Sequence, residues 1–442
     1  MRRADRRGFL LLGLVVAVTV AGVWALLGNL PEPILRQRFL VVPSGWVYVL
    51  GAFVLAVLGT ATAAYAYGLA TRPGRATAYA LTSGTHMFIW GVILATFYPA
   101  LILLAVSFNP RDTIAGALPR EGNLLVRAGV LPDASEFSLV QYQKVLSHTH
   151  MLDYQWVLVG LLLAAAIGVL ATKLAGRLAH LPAYRTDAWS RVLGLTIFVV
   201  AAVLVVSITP AQFYGLAADG TRVAPASDRT ILLYIRNTLL VSGLTGIFAV
   251  LIATTAGYAF ARMRFEGRYQ TLLSFVFVQM FPGFMALVAI FWLMVRLDLV
   301  NTFTGLVLAY SGGAIAFSAW IFKGYLESVS PALEESAMVD GATRWGAFWR
   351  IILPVSVPML LFIFLLQFIG TYSEFILATT ILQGQEKWTV GMGLRAFTAG
   401  RFDTQWGALM ASAVLGSIPI LIIFYSFQDA LTSQQTAGGV KG

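Results

Sequence analysis

Residues able to do chemistry are few. The chain of 442 residues holds no Cys, which excludes a thiolate metal site, a disulfide framework and a cysteine nucleophile. Its four His, His86, His148, His150 and His180, are too scattered for a metal cage, and no metal site is assigned to the pair His148-Thr149-His150 in its polar loop. No Gly-x-x-x-x-Gly-Lys-Ser/Thr phosphate loop occurs, so any ATP used must be hydrolysed elsewhere. What remains is a group of acids in one loop, Glu334, Glu335 and Asp340, one carboxylate in an apolar run, Glu374, and the amides Gln279 and Gln367 in apolar runs. These types suit contact with a partner and the polar lining of a path. They do not suit catalysis, and neither an enzyme nor a resident cofactor is expected.

The elements that must position these residues follow from composition. Apolar residues make up 58% and charged residues only 11%, with a mean hydropathy of +0.79. Soluble domains carry roughly 25% charge, so this is a membrane protein. Ten stretches of at least 18 residues are long and apolar enough to span a bilayer: 8–28, 46–70, 87–108, 154–172, 192–209, 237–260, 271–295, 303–322, 353–378 and 406–428. Of the chain's 50 formal charges only Glu374 falls inside one. Buried helices of a soluble protein would instead carry polar residues down one face.

The net charge of +10 reports orientation rather than nucleic-acid binding. With the N-terminus inside, the inner segments hold 17 Lys+Arg in 96 residues and the outer ones 13 in 123. Both termini are then cytoplasmic. The apolar run 8–28 exceeds the ~7–15 residues of a signal-peptide core and is read as an uncleaved anchor. The sequence divides into an N-terminal hairpin at 1–86, a helix with a long polar outer segment at 87–153, a second hairpin at 154–209, and a region from 231 to 442 with longer helices and tight loops.

One connector stands out, the 30-residue cytoplasmic loop 323–352. Ser330-Pro331 should open a short helix, with Glu334 and Glu335 in its positive first turn, running to about Val339. Asp340-Gly341 should break it, and Thr343 should cap a second helix through Arg350 that ends at Pro354. The product is a helix-turn-helix showing apolar and aromatic side chains between charges.

This loop resembles the coupling loop of permease subunits of binding-protein-dependent ABC importers, in which Glu-Ala-Ala precedes a Gly and then Ile-x-Leu-Pro. Here Glu335-Ser336-Ala337, Gly341 and Ile351-Ile352-Leu353-Pro354 stand at that spacing, with Ser336 in place of Ala as the one departure. Tyr258-Ala259-Phe260-Ala261-Arg262, Gln279-Met280-Phe281-Pro282, Lys323-Gly324-Tyr325, Asp340-Gly341-Ala342-Thr343 and the terminal Thr436–Gly442 are similar to the maltose/maltodextrin branch of that family. The likeness covers 87–108 and about 231–442. It implies an all-α polytopic transmembrane bundle, an ABC type I importer permease core of six helices, to which this chain adds four.

The resemblance implies partners and roles. A second permease, a cytoplasmic ATPase dimer and an extracytoplasmic sugar-binding protein would complete the assembly. Glu335 would pair with a basic ATPase residue, supported by Glu334, Ala337, Met338, Asp340, Gly341, Trp345 and Phe348. The tail Gly438, Gly439, Val440 and Lys441 would enter the ATPase interface. The outer segment 379–405, with Gln383, Gly384, Gln385, Glu386, Lys387 and Trp388, would reach the binding protein. Gln279, Gln367 and Glu374 are the pathway candidates, Glu374 lying shallow enough to snorkel to water instead. A secondary, ion-coupled transporter is the alternative, and it calls for paired halves and several buried acids near the midplane.

Overall fold

A computed structural model describes residues 6–29, 34–36, 39–41, 44–112, 126, 129, 131–146, 151–178, 183–213, 215–216, 222–223, 231–398 and 404–438. The chain falls into two compact units, 1–102 and 103–442. In the first, helix α1 (Arg6–Gly28) and helix α2 (Gly45–Thr71) are joined through a short antiparallel pair, β1 (Ile34–Arg36) and β2 (Phe39–Val41). Gly22 faces Leu55 while Gly59 faces Thr19, the register of an antiparallel helix pair. A Cβ on Gly59 would lie 2.2 Å from the Thr19 side chain, so glycine permits this approach. Helix α3 (Ala76–Ser107) follows with Pro99 inside it, running unbroken past position 86, where the sequence divides hairpin from core.

In the second unit, α4 (Val140–Leu146) lies in the outer segment. The inserted hairpin is α5 (Asp153–Leu178) with α6 (Ala183–Ser207), followed by a small strand pair, β3 (Gly215–Leu216) and β4 (Arg222–Val223). Then come α7 (Ile231–Arg262), α8 (Arg268–Met280), α9 (Gly283–Arg296) and α10 (Phe303–Ser328). The loop 323–352 holds α11 (Ala332–Val339) and α12 (Arg344–Ala347). The chain closes with α13 (Leu353–Ser373), α14 (Ile376–Ile381), α15 (Val390–Ala396) and α16 (Trp406–Gly438).

Among the described residues eight helices are long and apolar enough to cross a bilayer, and the bent pair α8/α9 makes a ninth. The tenth apolar stretch is a shorter run, Val192–Ser207, inside α6.

Three departures from the sequence expectation have local causes. The segment 271–295 is not one continuous helix: α8 and α9 meet at 106°. Pro282 disfavours a helical conformation at the residue before it, and Phe281 is extended at φ −72°, ψ 127°. The segment 353–378 divides at Glu374, which is extended at ψ 136°. The second loop helix does not stop at Pro354. A wide turn over Phe348–Ile352, in which the Leu353 amide donates to the Phe348 carbonyl, carries it into α13. Pro354 stands in the first turn of that helix, where its missing N–H costs little.

The core is organised along α7. Its outer turns (Ile231, Tyr234, Ile235) pack with Val145 of α4, with Val390 and with Ala408 and Ala411 of α16. Val241 joins a cluster with Met294, Leu306 and Leu377, and Tyr258 at the inner end joins Phe322, Leu326, Phe348 and Ile352. Two buried hydroxyls of α7 are satisfied within the helix, Thr238 Oγ1 donating to the Tyr234 carbonyl at 2.7 Å and Ser242 to that of Thr238 at 2.6 Å, while Thr245 Oγ1 is buried without a hydrogen-bond partner among the described residues.

The α7–α10 contact depends on Gly257. A Cβ there would lie 2.9 Å from the Phe322 ring and 3.1 Å from both the Ala319 carbonyl and the Lys323 amide, backbone atoms that cannot yield. Gly257→Leu should therefore cost about 1–3 kcal/mol and lower the melting temperature in detergent. Gly243→Leu, at a site with no atom within 4 Å, should leave it unchanged.

Candidate functional site

The 323–352 loop is a built structure, and each joint has a visible cause. Ser330 Oγ accepts weakly from the Ala332 amide at 3.4 Å to open α11. At the other end, Gly341 takes φ +86°, its amide donates to the Met338 carbonyl at 3.1 Å, and the Ala342 amide donates to Ala337 at 2.9 Å. This pairing terminates a helix in a left-handed residue, which glycine adopts without a Cβ penalty. Thr343 Oγ1 then accepts from the Gly346 amide at 3.1 Å and starts α12.

Two consecutive acids of α11 point to different sides of the helix. Glu334 points inward and is 7% exposed, whereas Glu335 is exposed. Arg262, the last residue of α7, donates from Nε to Glu334 Oε1 at 2.6 Å and from its terminal guanidinium nitrogen to the Val329 carbonyl at 2.7 Å. The Tyr258 hydroxyl donates to Glu334 Oε2 at 3.0 Å. Tyr258 and Arg262 lie one turn apart on α7, so a single helix face holds the carboxylate from both sides.

Of the residues grouped as the ATPase contact, Glu334, Ala337 and Phe348 face inward. Phe348 is 1% exposed with its ring 4.7 Å from that of Tyr258. Their apolar or charged atoms hold the loop to the bundle. Glu335, Met338, Asp340, Gly341 and Trp345 remain at the surface, joined by Val339 and Trp349. Trp345 stacks on Phe348 at 5.2 Å while staying half exposed. Between α11 and α12 lies a hollow of about 300 Å³ lined by Ser336, Asp340, Gly341 and Arg350. The supporting role of Arg262 was missed from sequence, where it is one cation among several in an inner loop.

The outer segment is also folded. Gln385–Lys387 forms one tight turn between α14 and α15. Asn301 has φ +57°, which asparagine tolerates, and its side-chain oxygen accepts from the amides of Gln383 and Gly384 at 3.1 and 3.0 Å. Lys387 Nζ donates to the Asn301 carbonyl at 2.6 Å, and Gln385 donates to the Tyr234 hydroxyl at 3.2 Å. Asn237 on α7 donates to the carbonyls of Glu386 and Trp388 at 2.9 and 3.0 Å. Among the six predicted contact residues only Gln383 is fully exposed; Gly384, Gln385, Glu386, Lys387 and Trp388 are half-buried. The clamp residues Asn301 and Asn237 carried no sequence signal beyond being polar at helix ends.

The pathway candidates are not gathered into one site. Gln279 is exposed near the end of α8. Gln367 donates to Ser318 Oγ at 3.0 Å and ties α13 to α10. Glu374 neither snorkels freely nor stands alone. It caps α14, accepting from the amides of Ile376 and Leu377 at 2.7 and 3.0 Å, and it accepts from the Tyr310 hydroxyl. A nearby cavity of about 530 Å³ between α14 and α15 is lined by Phe375, Thr379, Leu394, Arg395 and Thr398.

Gly438 is the last residue of α16, while Gly439, Val440 and Lys441 lie outside the described residues, as do His148 and His150. Among the described residues no group of three His, Asp or Glu could hold a metal ion.

Removing one partner of the Arg262–Glu334 pair leaves a buried charge. Glu334→Leu should destabilise the protein by about 3–5 kcal/mol, and the double variant Arg262→Met with Glu334→Leu should recover a large part of that loss. Thermal unfolding in detergent measures both, and equal losses in the single and double variants would show that the pair does not hold the loop.

Comparison with known proteins agrees with this layout. Residues 249–435 match the family described as "Binding-protein-dependent transport system inner membrane component". The maltose/maltodextrin transport system permease protein MalG of Vibrio vulnificus (strain YJ016) is 40% identical over 231 residues, 51% of this chain and 77% of that protein. MalG of Salmonella typhimurium (strain LT2) is 41% identical and MalG of Escherichia coli (strain K12) 39% identical, each over 231 residues with the same coverage of 51% and 77%. A crystal structure of a bacterial ABC transporter involved in the import of the acidic polysaccharide alginate shares the fold at 16% identity and a TM-score of 0.50, covering 78% of this chain and 94% of that one. At about two-fifths identity to proteins of which it covers more than three-quarters, this chain belongs to the ABC-importer permease family of binding-protein-dependent inner membrane components that includes MalG.

Proposed function

We propose that this chain is one of two permease subunits that import an oligosaccharide of the maltose/maltodextrin type across the cytoplasmic membrane by alternating access. Both termini face the cytoplasm. A separate ATPase dimer hydrolyses ATP and docks on the 323–352 loop, with the α16 tail reaching into its interface. An extracytoplasmic binding protein delivers the sugar to the side that carries the 383–388 turn. The division of labour in α11 is the observation that supports this reading most directly. An inward Glu334 anchors the helix to α7, which leaves the adjacent Glu335 outward beside Met338 and Trp345. A short, fixed helix presenting one acid and apolar area suits a charge-assisted contact with a basic residue on a partner. The choice of sugar rests on likeness to MalG proteins, and trehalose or another disaccharide is the alternative cargo.

The test is uptake by the complete transporter reconstituted in vesicles. Glu335→Lys puts like charge against a basic partner and should lower ATP-driven uptake by about tenfold or more, with the detached ATPase unaffected. Gly341→Asp sets a second carboxylate beside Asp340 at the mouth of the hollow and should act in the same direction. Wild-type uptake by either membrane-inserted variant would sink the docking assignment. Labelled maltotriose should accumulate and labelled trehalose should not; the reverse result assigns the other cargo.

A further inference from the structure

The inserted hairpin α5/α6 meets the outer turn through a line of hydrogen bonds. Helix α6 ends at Ser207, so its last carbonyls lack partners within the helix. The amide of Thr209 would ordinarily donate to Val205, but it donates instead to Gln212 Oε1 at 3.1 Å. Gln212 is held there by fully buried Gln155, which donates to its side chain at 3.4 Å and to the Ser207 carbonyl at 3.0 Å. Arg236, half-buried in the second turn of α7, donates from Nε to the freed Val205 carbonyl at 3.3 Å. Its other arm donates to Asn237 Oδ1 at 3.0 Å. Asn237 is fully buried, and its amide nitrogen holds the carbonyls of Glu386 and Trp388.

We infer that the inserted hairpin is a brace for the outer turn, and that Arg236 is the positioning residue that joins them. A cation is suited to this place, because the carbonyl end of a helix carries partial negative charge and Arg can serve two acceptors at once. Arg236 also orients the Asn237 amide: with its oxygen engaged by the guanidinium, the nitrogen must face the turn, where both of its hydrogens are used. One side of the joint is packed by the buried apolar residues Ile208, Phe213 and Leu233, which limits water's access to these bonds. The hairpin thus limits the freedom of the 383–388 turn without touching a ligand itself. For transport, this rests on reading that turn as the face toward the binding protein.

The absence of native Cys permits a direct test. A nitroxide on Gln383→Cys, at the exposed tip, reports the mobility of the turn in the full chain. Arg236→Met should mobilise the label and Arg236→Lys should restore much of the wild-type line shape. Gln155→Leu, distant from the turn along the chain of bonds, should mobilise it in the same direction. An unchanged spectrum in either Arg236→Met or Gln155→Leu, in membrane-inserted protein, overturns the brace. In the reconstituted transporter, Arg236→Met should also raise the concentration of binding protein that half-saturates uptake, by about threefold or more, with smaller change in the maximal rate. Mobilisation of the label with no shift in half-saturation upholds the brace and overturns the reading of the turn as the binding-protein face.

Discussion

A buried carboxylate constrains the half of this molecule that carries the 323–352 loop. Glu334 lies in a loop outside the apolar spans yet is almost wholly covered, and a carboxylate can be covered only when its charge is matched. Arg262 and Tyr258 supply the match from one face of α7. The consequence is mechanical. A helix of eight residues, too short to be stable alone, is fixed in position by one ion pair, a tyrosine hydroxyl and the aromatic contact of Phe348 with Tyr258. Everything that loop presents outward, Glu335 foremost, owes its orientation to the inward residue beside it.

The same helix holds the opposite surface. Asn237 and Thr238, near the start of α7, bond the outer turn and the amide of Val390, while Tyr258 and Arg262, near its end, bond the inner loop. At 1.5 Å per residue, these two attachments lie roughly 38 Å apart on one unbroken helix. A displacement of the inner loop cannot be absorbed within α7 unless the helix bends. Small residues let it run close to its neighbours, Gly257 against α10 and Gly246 against Phe364 of α13. The helix is therefore both the centre of the core and the shortest solid connection between the two faces.

Most polar groups in the apolar region find a protein partner. Gln367 reaches Ser318 across two helices, Glu374 caps a half-length helix, and the Thr238 and Ser242 hydroxyls of α7 bond back to its own carbonyls, whereas the buried hydroxyls of Thr245, Ser356 and Ser412 have no hydrogen-bond partner among the described residues. The sequence suggested a polar path at Gln279, Gln367 and Glu374. In the fold, two of these three are structural ties, because in a medium without water an unsatisfied amide or carboxylate costs more than any geometry that satisfies it. Where the chain breaks, at Pro282 and at Glu374, it does so at a residue that disfavours helix before it or whose side chain caps the next one.

Segregation of charge from apolar runs is a one-dimensional property, and so the placement of most apolar helices was legible from residue types alone, although eight single helices and one bent pair, not ten spans, are long enough to cross a bilayer among the described residues. The helix-turn-helix of the 323–352 loop was legible because its signals are local. Ser330-Pro331, Gly341 and Thr343 act on their immediate neighbours, and the structure places each cap and break where those residues stand. The 106° bend was written in Phe281-Pro282 but hidden within an uninterrupted apolar stretch. Which of two adjacent acids would face inward was not in the sequence at all. Glu334 and Glu335 have the same chemistry and the same local environment, and only the position of Arg262, 72 residues earlier in the chain, distinguishes them. The clamp of Asn237 on a turn about 150 residues away is of the same kind. Periodicity and capping are set by neighbours in the chain; partnership between distant polar groups is decided only when helices pack and each buried charge must find its match.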